Sequence, residues 1–214
     1  MNSMRMKTNS QMTDPVRVIG ISRHRLVTDG DGCTTLVAFN GCPLRCKYCL
    51  NKDCWDPKKG RAYTPESLFE EVKIDQLYFL ATHGGVTFGG GEPLLQVDFI
   101  KAFRELCGHQ WQIVAETSLN VPFDNVQALD SLLDGYIVDI KDLNSAIYKA
   151  YTGKENTLTL SNLEWILQQG DTDRVMVRVP HIPDFNTDED VRRSVDGLKG
   201  MGIQNIDEFT YIIR

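Results

Sequence analysis

Short, continuously apolar runs alternate with longer stretches of helical period from residue 34 to the end of the chain. The runs at 35–39, 86–88, 112–116, 136–140, 175–179 and 209–213 do not alternate apolar with polar, the pattern of parallel strands covered on both faces. Between them, Leu95, Phe99, Ala102/Phe103 and Leu106 recur at helical spacing, as do Val126, Leu129 and Leu132/Leu133. Residues 65–81, 158–169 and 188–201 fill the remaining intervals with helix. Six strand–helix units predict an α/β fold, a parallel sheet with right-handed crossovers that place helices outside. Residues 16–28 predict a hairpin or an edge extension of that sheet. No Gly/Ser-rich linker divides the chain, so one domain over 16–214 is expected, behind a loose polar tail at 1–15.

Polar and glycine-rich residues collect just past the strand ends. Cysteines at 42–49 follow the first strand, Gly89-Gly90-Gly91-Glu92-Pro93 the second, and Glu116-Thr117-Ser118 closes the third. Asp139 and Lys141 close the fourth, and Pro180-His181 follows the fifth. In barrels of parallel strands that C-terminal rim binds ligands. The glycine run lets backbone approach a ligand closely, but no Lys-Ser/Thr follows it, so a nucleoside triphosphate loop is not expected. The Glu92 carboxylate there suits a ligand with a positive amino group. Asp139 and Lys141, two apart, share a strand face and read either as a rim ion pair or as contacts to a ligand carrying hydroxyls and a carboxylate. Glu116 and Thr117 have the same two readings. Arg178, a charge inside an apolar strand, predicts a polar interior.

The cysteines narrow the chemistry. Cys42-Pro43-Leu44-Arg45-Cys46-Lys47-Tyr48-Cys49 puts three thiols in one tight loop. Full protein ligation of a four-iron cluster takes four thiolates, so three would leave one iron open for chemistry. Zinc and a disulfide are the competing readings. Structural zinc usually gathers two spaced pairs, and only Cys46 and Cys49 form one here, although Cys33 or Cys54 could complete a four-thiolate site. Cys33, Cys54 and Cys107 otherwise read as ordinary small residues, Trp55 as a core plug, and Tyr48 as loop packing or a flat surface for a purine.

Charge and length trim the alternatives. The 214-residue chain carries a formal net charge of −6, which disfavours nucleic acid as a main partner. No apolar stretch approaches the ~20 residues of a membrane span, and the start shows no apolar leader, so a cytoplasmic location is expected.

Taken in order, these segments resemble the radical S-adenosylmethionine superfamily and, within it, the activating enzymes of glycyl radical enzymes. The resemblance rests on Asp29-Gly30-Asp31-Gly32, the run from Asn40 to Trp55, Val86 to Pro93, Glu116-Thr117-Ser118, Val138 to Lys141 and Arg178-Val179-Pro180. It implies a partial (β/α)6 TIM-like barrel in which Cys42, Cys46 and Cys49 ligate a [4Fe–4S] cluster whose open iron is chelated by S-adenosylmethionine. It further implies that Gly90, Gly91 and Glu92 hold the amino group of that cofactor, Asp139 and Lys141 its ribose and carboxylate side, and Tyr48 its adenine, with Arg178 among the binding residues. Glu116, Thr117 and Asp139 would frame a monovalent-cation site. The implied reaction is reductive cleavage to a 5′-deoxyadenosyl radical that takes a hydrogen from a glycine of a partner glycyl radical enzyme, with flavodoxin or ferredoxin supplying the electron. Action on a small molecule or peptide, activation of an anaerobic ribonucleotide reductase, and simple electron transfer are the competing functions. The chain departs from the family where Asp29-Gly30-Asp31-Gly32-Cys33-Thr34 lacks the usual proline and arginine, and it carries no cysteine-rich insertion after Trp55.

Overall fold

The computed structural model describes residues 13–26 and 28–211. Eight strands form one sheet, ordered β3-β1-β2-β4-β5-β6-β7-β8. Strands β2 (Cys33–Phe39), β4 (Gly85–Gly90), β5 (Gln112–Thr117), β6 (Gly135–Asp139), β7 (Val175–His181) and β8 (Asn205–Thr210) run parallel. They are the six predicted strands. The last lies four residues earlier than its apolar run suggested, and residues 212–213 of that run fall outside the described residues. Strand β1 (Val16–Leu26) extends the edge antiparallel to β2, and the short β3 (Arg61–Tyr63), which the sequence pattern did not reveal, pairs with β1. No ladder joins β8 back to the other edge among the described residues, so the barrel is open. Residues 13–15 of the expected tail lead into β1, and its first twelve residues lie outside the described region.

Helices cover the outer face. The interval 65–81 is two helices, α1 (Pro65–Val72) and α2 (Gln76–Thr82), rather than one. Asp75 divides them because its buried carboxylate is taken by Arg23 Nε and Nη2 at 2.7 and 2.8 Å and by the Thr35 hydroxyl at 3.1 Å. Then come α3 (Val97–Cys107), α4 (Phe123–Leu129), α5 (Ser145–Thr152), α6 (Thr157–Gln168) and α7 (Asp188–Gly200). Capping fixes several starts. Thr64 and Ser67 form a capping box on α1, Thr187 and Asp190 another on α7, and the Asn144 side chain accepts from the Ala146 and Ile147 amides of α5.

The core lies between sheet and helices. Phe39 of β2 stacks on Phe88 of β4 with centroids 5.0 Å apart, and Phe99 and Phe103 of α3 close edge-on against them. All four rings are buried, each contributing roughly 1.5–3 kcal/mol of apolar burial. That rigid layer fixes the C-terminal ends of β2 and β4, from which the cysteine and glycine loops leave. Among the described residues, no helix is long and apolar enough to cross a membrane.

Candidate cofactor site

The loop after β2 is held by hydrogen bonds from three directions. The Asn40 side-chain amide donates to the carbonyls of Asp56, Lys59 and Asp53 at 2.8, 3.2 and 3.3 Å, pinning the segment that follows the cysteines. The Gly41 amide donates to Cys54 O at 2.9 Å, and Arg45 Nη1 donates to the carbonyls of Cys42 and Leu44 at 2.7 and 2.8 Å. From the far side, the Arg45 and Lys47 amides donate to Thr152 O and Tyr151 O at 2.8 and 3.1 Å, so the end of α5 grips the loop on both sides of Cys46.

The glycine loop after β4 docks on this one. The Gly91 amide donates to Phe39 O at 2.9 Å, the Glu92 amide to Gly41 O at 2.7 Å, and the Asn51 side chain to Gly90 O at 3.1 Å. A Cβ on Gly91 would lie 2.2 Å from Gly41 O, and one on Gly90, where φ is +84°, would lie 2.4 Å from the Ala38 Cβ. Close packing against the cysteine loop, as well as open approach from the cavity, requires glycine at both positions.

Glu92 is fully buried, and its carboxylate is already engaged. Oε1 accepts from the Thr117 hydroxyl at 2.5 Å and the Leu94 amide at 3.3 Å; Oε2 accepts from the Ser118 hydroxyl at 2.7 Å and the Ser118 amide at 3.0 Å. Burial pushes its carboxyl up, against the pull of these donors. The side chain ties the end of β4 to the end of β5, a role its position in the sequence did not reveal.

Charges line the wall beyond. Lys141 is buried, with Nζ 2.8 Å from Asp139 Oδ2 and 2.9 Å from the Tyr211 hydroxyl. Burial opposes its charge, but Asp139 and Tyr211 outweigh that and raise its pKa. Arg178 Nη1 donates to Glu116 Oε1 at 2.9 Å, and its guanidinium also faces Asp207 at 3.7 Å and Asp29 at 3.9 Å. It does face a polar interior. Asp29 is buried and paired with Arg25 of β1, which supplies an arginine beside the altered Asp29-Gly30-Asp31-Gly32 turn. The Glu116 carboxyl is pushed up to about 7, by burial first and by Asp139 next, while Arg178 pulls the other way.

These groups surround one cavity of about 420 Å³, lined by Cys42, Cys46 and Cys49 together with Gly90, Gly91, Glu92, Glu116, Thr117, Asp139, Lys141 and Arg178. That is the scale of a pocket for an organic cofactor, roughly 300–1,000 Å³. Tyr48 is not in the lining: its hydroxyl donates to Asp184 Oδ2 at 3.0 Å and its ring packs on Phe185 at 5.7 Å. Arg25, Asp29, Ser118 and Tyr211 belong to the wall although no motif assigned them a role. Larger clefts of about 1130 and 630 Å³ lie against α3 and at the opposite strand ends, and hold none of the three loop cysteines.

The donor set can be tested against a cluster. Among the described residues, no three of His, Cys, Asp and Glu converge closely enough for a single metal ion. A tetrahedral zinc needs its thiolates within ~2.3 Å of one point, whereas an iron–sulfur cube spreads its three ligands over three irons. Three thiols of one loop lining one cavity meet the three-ligand demand of such a cube with one iron left open. Burial raises the Cys42 thiol and pushes Cys46 up to about 11, so both are protonated until metal displaces the proton. Cys54 is buried beside them and outside the cavity lining, and Cys33 is buried on β2.

The family model of the radical SAM superfamily matches residues 36–198. The chain belongs to that superfamily. It is 38% identical over 128 residues to the pyruvate formate-lyase-activating enzyme of Clostridium pasteurianum, covering 60% of this chain and 54% of that protein. It is 32% identical over 167 residues to the pyruvate formate-lyase 1-activating enzyme of Escherichia coli (strain K12), covering 76% of this chain and 66% of that one. The chain thus spans between about half and two thirds of the length of these curated relatives. Among solved structures, Streptococcus suis SuiB bound to its precursor peptide SuiA superposes with a TM-score of 0.61 at 15% identity, over 80% of this chain and 37% of that one. That likeness is one of fold alone, over the open sheet of six parallel strands and its helices.

Proposed function

We propose that the chain is an activating enzyme that cleaves S-adenosylmethionine reductively at a [4Fe–4S] cluster and takes a hydrogen atom from a glycine of a partner glycyl radical enzyme. One observation carries it: the three cysteines of the loop after β2 and polar residues from the next four parallel strands, β4 to β7, face a single cavity of cofactor size, although Pro180 and His181 at the end of β7 are not in its lining. The similarity to pyruvate formate-lyase-activating enzymes supports the glycine substrate. Bound there, the cluster would supply the one electron, taken from an external donor, that breaks the sulfonium S–C5′ bond of the cofactor to give methionine and the 5′-deoxyadenosyl radical that accepts the glycine hydrogen.

The chain's own residues would do the rest. Cys42, Cys46 and Cys49 would hold three irons. Because the Glu92 carboxylate is taken up by Thr117, Ser118 and Leu94, the amino group of the cofactor would meet the backbone of Gly90 and Gly91, which Glu92 holds in place. The buried Lys141 would meet a carboxylate, Asp139 the ribose hydroxyls, and Arg178 would hold Glu116 and Asp29 against the lumen. Two neighbouring carboxylates, Glu116 and Asp139, favour a monovalent cation between them, near Thr117. Tyr48, in an aromatic cluster beside the cysteine loop, would reach an adenine only by leaving Asp184.

The electron donor is inferred from charge. Residues 45–61 hold six basic and two acidic side chains, whereas the rest of the chain holds 17 basic against 27 acidic. Lys47, Lys52 and Lys58 are exposed and form no ion pair among the described residues, and Leu50 stands 76% exposed between them. An exposed basic segment with an exposed apolar residue, running on from the cysteines, suits a transient acidic carrier such as flavodoxin or ferredoxin.

The test is an anaerobic assay. Reconstituted protein, dithionite and S-adenosylmethionine should give 5′-deoxyadenosine, and Cys46→Ala should abolish it. A fully loaded four-iron protein that gives none would refute the reading. Adding a glycyl radical enzyme should then give a glycyl radical signal on that partner; continued cofactor cleavage without one would assign the chain to a different substrate.

A further inference from the structure

Lys141 and Tyr211 stand side by side in the cavity lining, and each has a hydrogen to spare. An ammonium carries three hydrogens and accepts none. One Lys141 hydrogen goes to Asp139 Oδ2 at 2.8 Å and a second to the Tyr211 hydroxyl oxygen at 2.9 Å. The third has no acceptor among the described residues, and Lys141 is buried except where it borders the cavity. The phenol is placed as firmly. The Tyr211 amide donates to His181 O at 3.0 Å, and the ring packs on Phe209 and Tyr151 with centroids 5.4 and 6.1 Å away. Its oxygen accepts from Lys141 on one side and on the other faces the Tyr151 phenol, which burial and then Tyr211 itself keep protonated. With both lone pairs facing donors, the Tyr211 proton is left for the cavity that the side chain lines. An ammonium that donates to a hydroxyl also polarises it and strengthens it as a donor.

The rest of the wall shows what such a pair suits. Its other cations are already matched, Arg25 with Asp29 and Arg178 with Glu116. The carboxylates Asp29, Glu92, Glu116 and Asp139 line the same cavity, so an anionic group finds a place only where free donors converge. At Lys141 and Tyr211 two free hydrogens leave atoms 2.9 Å apart, an arrangement that fits the two oxygens of a carboxylate.

We propose that Tyr211 is a ligand-binding residue: its hydroxyl and the Lys141 ammonium together hold the carboxylate in the amino-acid portion of S-adenosylmethionine. This rests on the cofactor reading above, which gives that carboxylate to Lys141, and extends it to a residue outside every motif. Asp139 already balances the charge of Lys141, so the neutral O–H supplies the donor that the ion pair alone lacks.

Tyr211→Phe removes one oxygen and keeps the ring. Wild type and variant, reconstituted anaerobically and matched for iron, would be titrated calorimetrically with S-adenosylhomocysteine and with its decarboxylated analogue. Both compounds keep the adenosine, the thioether and the amino group, and only the first carries the carboxylate. Tyr211→Phe should raise Kd for S-adenosylhomocysteine about tenfold, the worth of one hydrogen bond to a charged acceptor, and leave Kd for the analogue nearly unchanged. A variant that weakens both equally has only lost packing, and one that weakens neither does not touch the ligand; either result overturns the proposal. In a crystal structure of loaded wild type with S-adenosylhomocysteine, a carboxylate oxygen should lie about 3 Å from the Tyr211 oxygen. A carboxylate beyond hydrogen-bond reach overturns the proposal even if Tyr211→Phe takes up no iron. Neither readout needs cofactor cleavage, so this selectivity in a protein that forms no 5′-deoxyadenosine would sink the functional reading and leave this one standing. Wild type that binds the two compounds equally overturns this inference, and the functional reading stands if 5′-deoxyadenosine still forms. A chain that binds no cluster overturns both.

Discussion

Glu92 decides between two roles that its place in a Gly-Gly-Glu run cannot separate: a direct ligand for a cofactor, or a clamp between β4 and β5. Glu92→Gln tests them because the two carboxylate oxygens are not equivalent to an amide. Each oxygen receives a backbone N–H, Leu94 at 3.3 Å on one and Ser118 at 3.0 Å on the other. A glutamine has one acceptor oxygen, and whichever way it turns, its NH2 faces an amide donor that cannot rotate away. One orphaned backbone donor costs about 1–3 kcal/mol, offset in part by no longer burying a charge. Glu92→Ala leaves both amides unpaired, while the Thr117 and Ser118 hydroxyls can turn elsewhere, for about 2–4 kcal/mol.

At about 2–4 °C per kcal/mol for a chain of this size, the glutamine variant should lose roughly 2–10 °C and the alanine variant somewhat more. The assay is thermal unfolding of iron-free protein, anaerobic and with thiol reductant, followed by circular dichroism. No cofactor is present, so a residue that serves only the cofactor would leave the curve where it was. A glutamine variant melting within a degree of wild type, but with a raised KM for S-adenosylmethionine, would refute the clamp.

Three further substitutions probe the same wall. Gly91→Ala drives a methyl to 2.2 Å from Gly41 O and 2.8 Å from Phe39 O, both backbone atoms. It should cost about 1–3 kcal/mol of overpacking and displace the cysteine loop; iron uptake equal to wild type would contradict the docking of the two loops. Lys141→Met keeps the length of the side chain and removes its charge, so iron content should hold while KM for S-adenosylmethionine rises on the order of tenfold, the worth of one charge-assisted hydrogen bond. An unchanged KM would remove Lys141 from the carboxylate. Glu116 has its folded pKa raised to about 7 from an ordinary 4.5, so the native state holds that proton where the unfolded chain has lost it. Its contribution is complete below about 4.5 and is lost as pH rises to about 7. The urea midpoint of iron-free wild type, relative to Glu116→Gln, should therefore fall between pH 5 and pH 8; a constant difference would show that the burial is relieved in solution.

The legible parts of this molecule are those in which one local pattern fixes one local outcome. Six apolar runs became six parallel strands because both faces of each are covered, and the polar segments after them became the rim because chain direction alone sends every strand end to the same side. What stayed hidden depends on pairs of segments meeting. Helix α5 has its start and stop written in Asn144 and Gly153, but Thr152 and the tyrosines between are indifferent helix formers, and their spacing matters only once Tyr148 and Tyr151 have a core to enter. Tyr211 sits beside Lys141, 70 residues away, only because β8 ends next to β7. Glu92 reads as a ligand from its motif, and only the register of β4 on β5 brings Thr117 and Ser118 to its carboxylate. A motif thus locates chemistry on the rim without assigning each side chain its task. In this site the side chains that the motifs name are partly spent on holding the strand ends together.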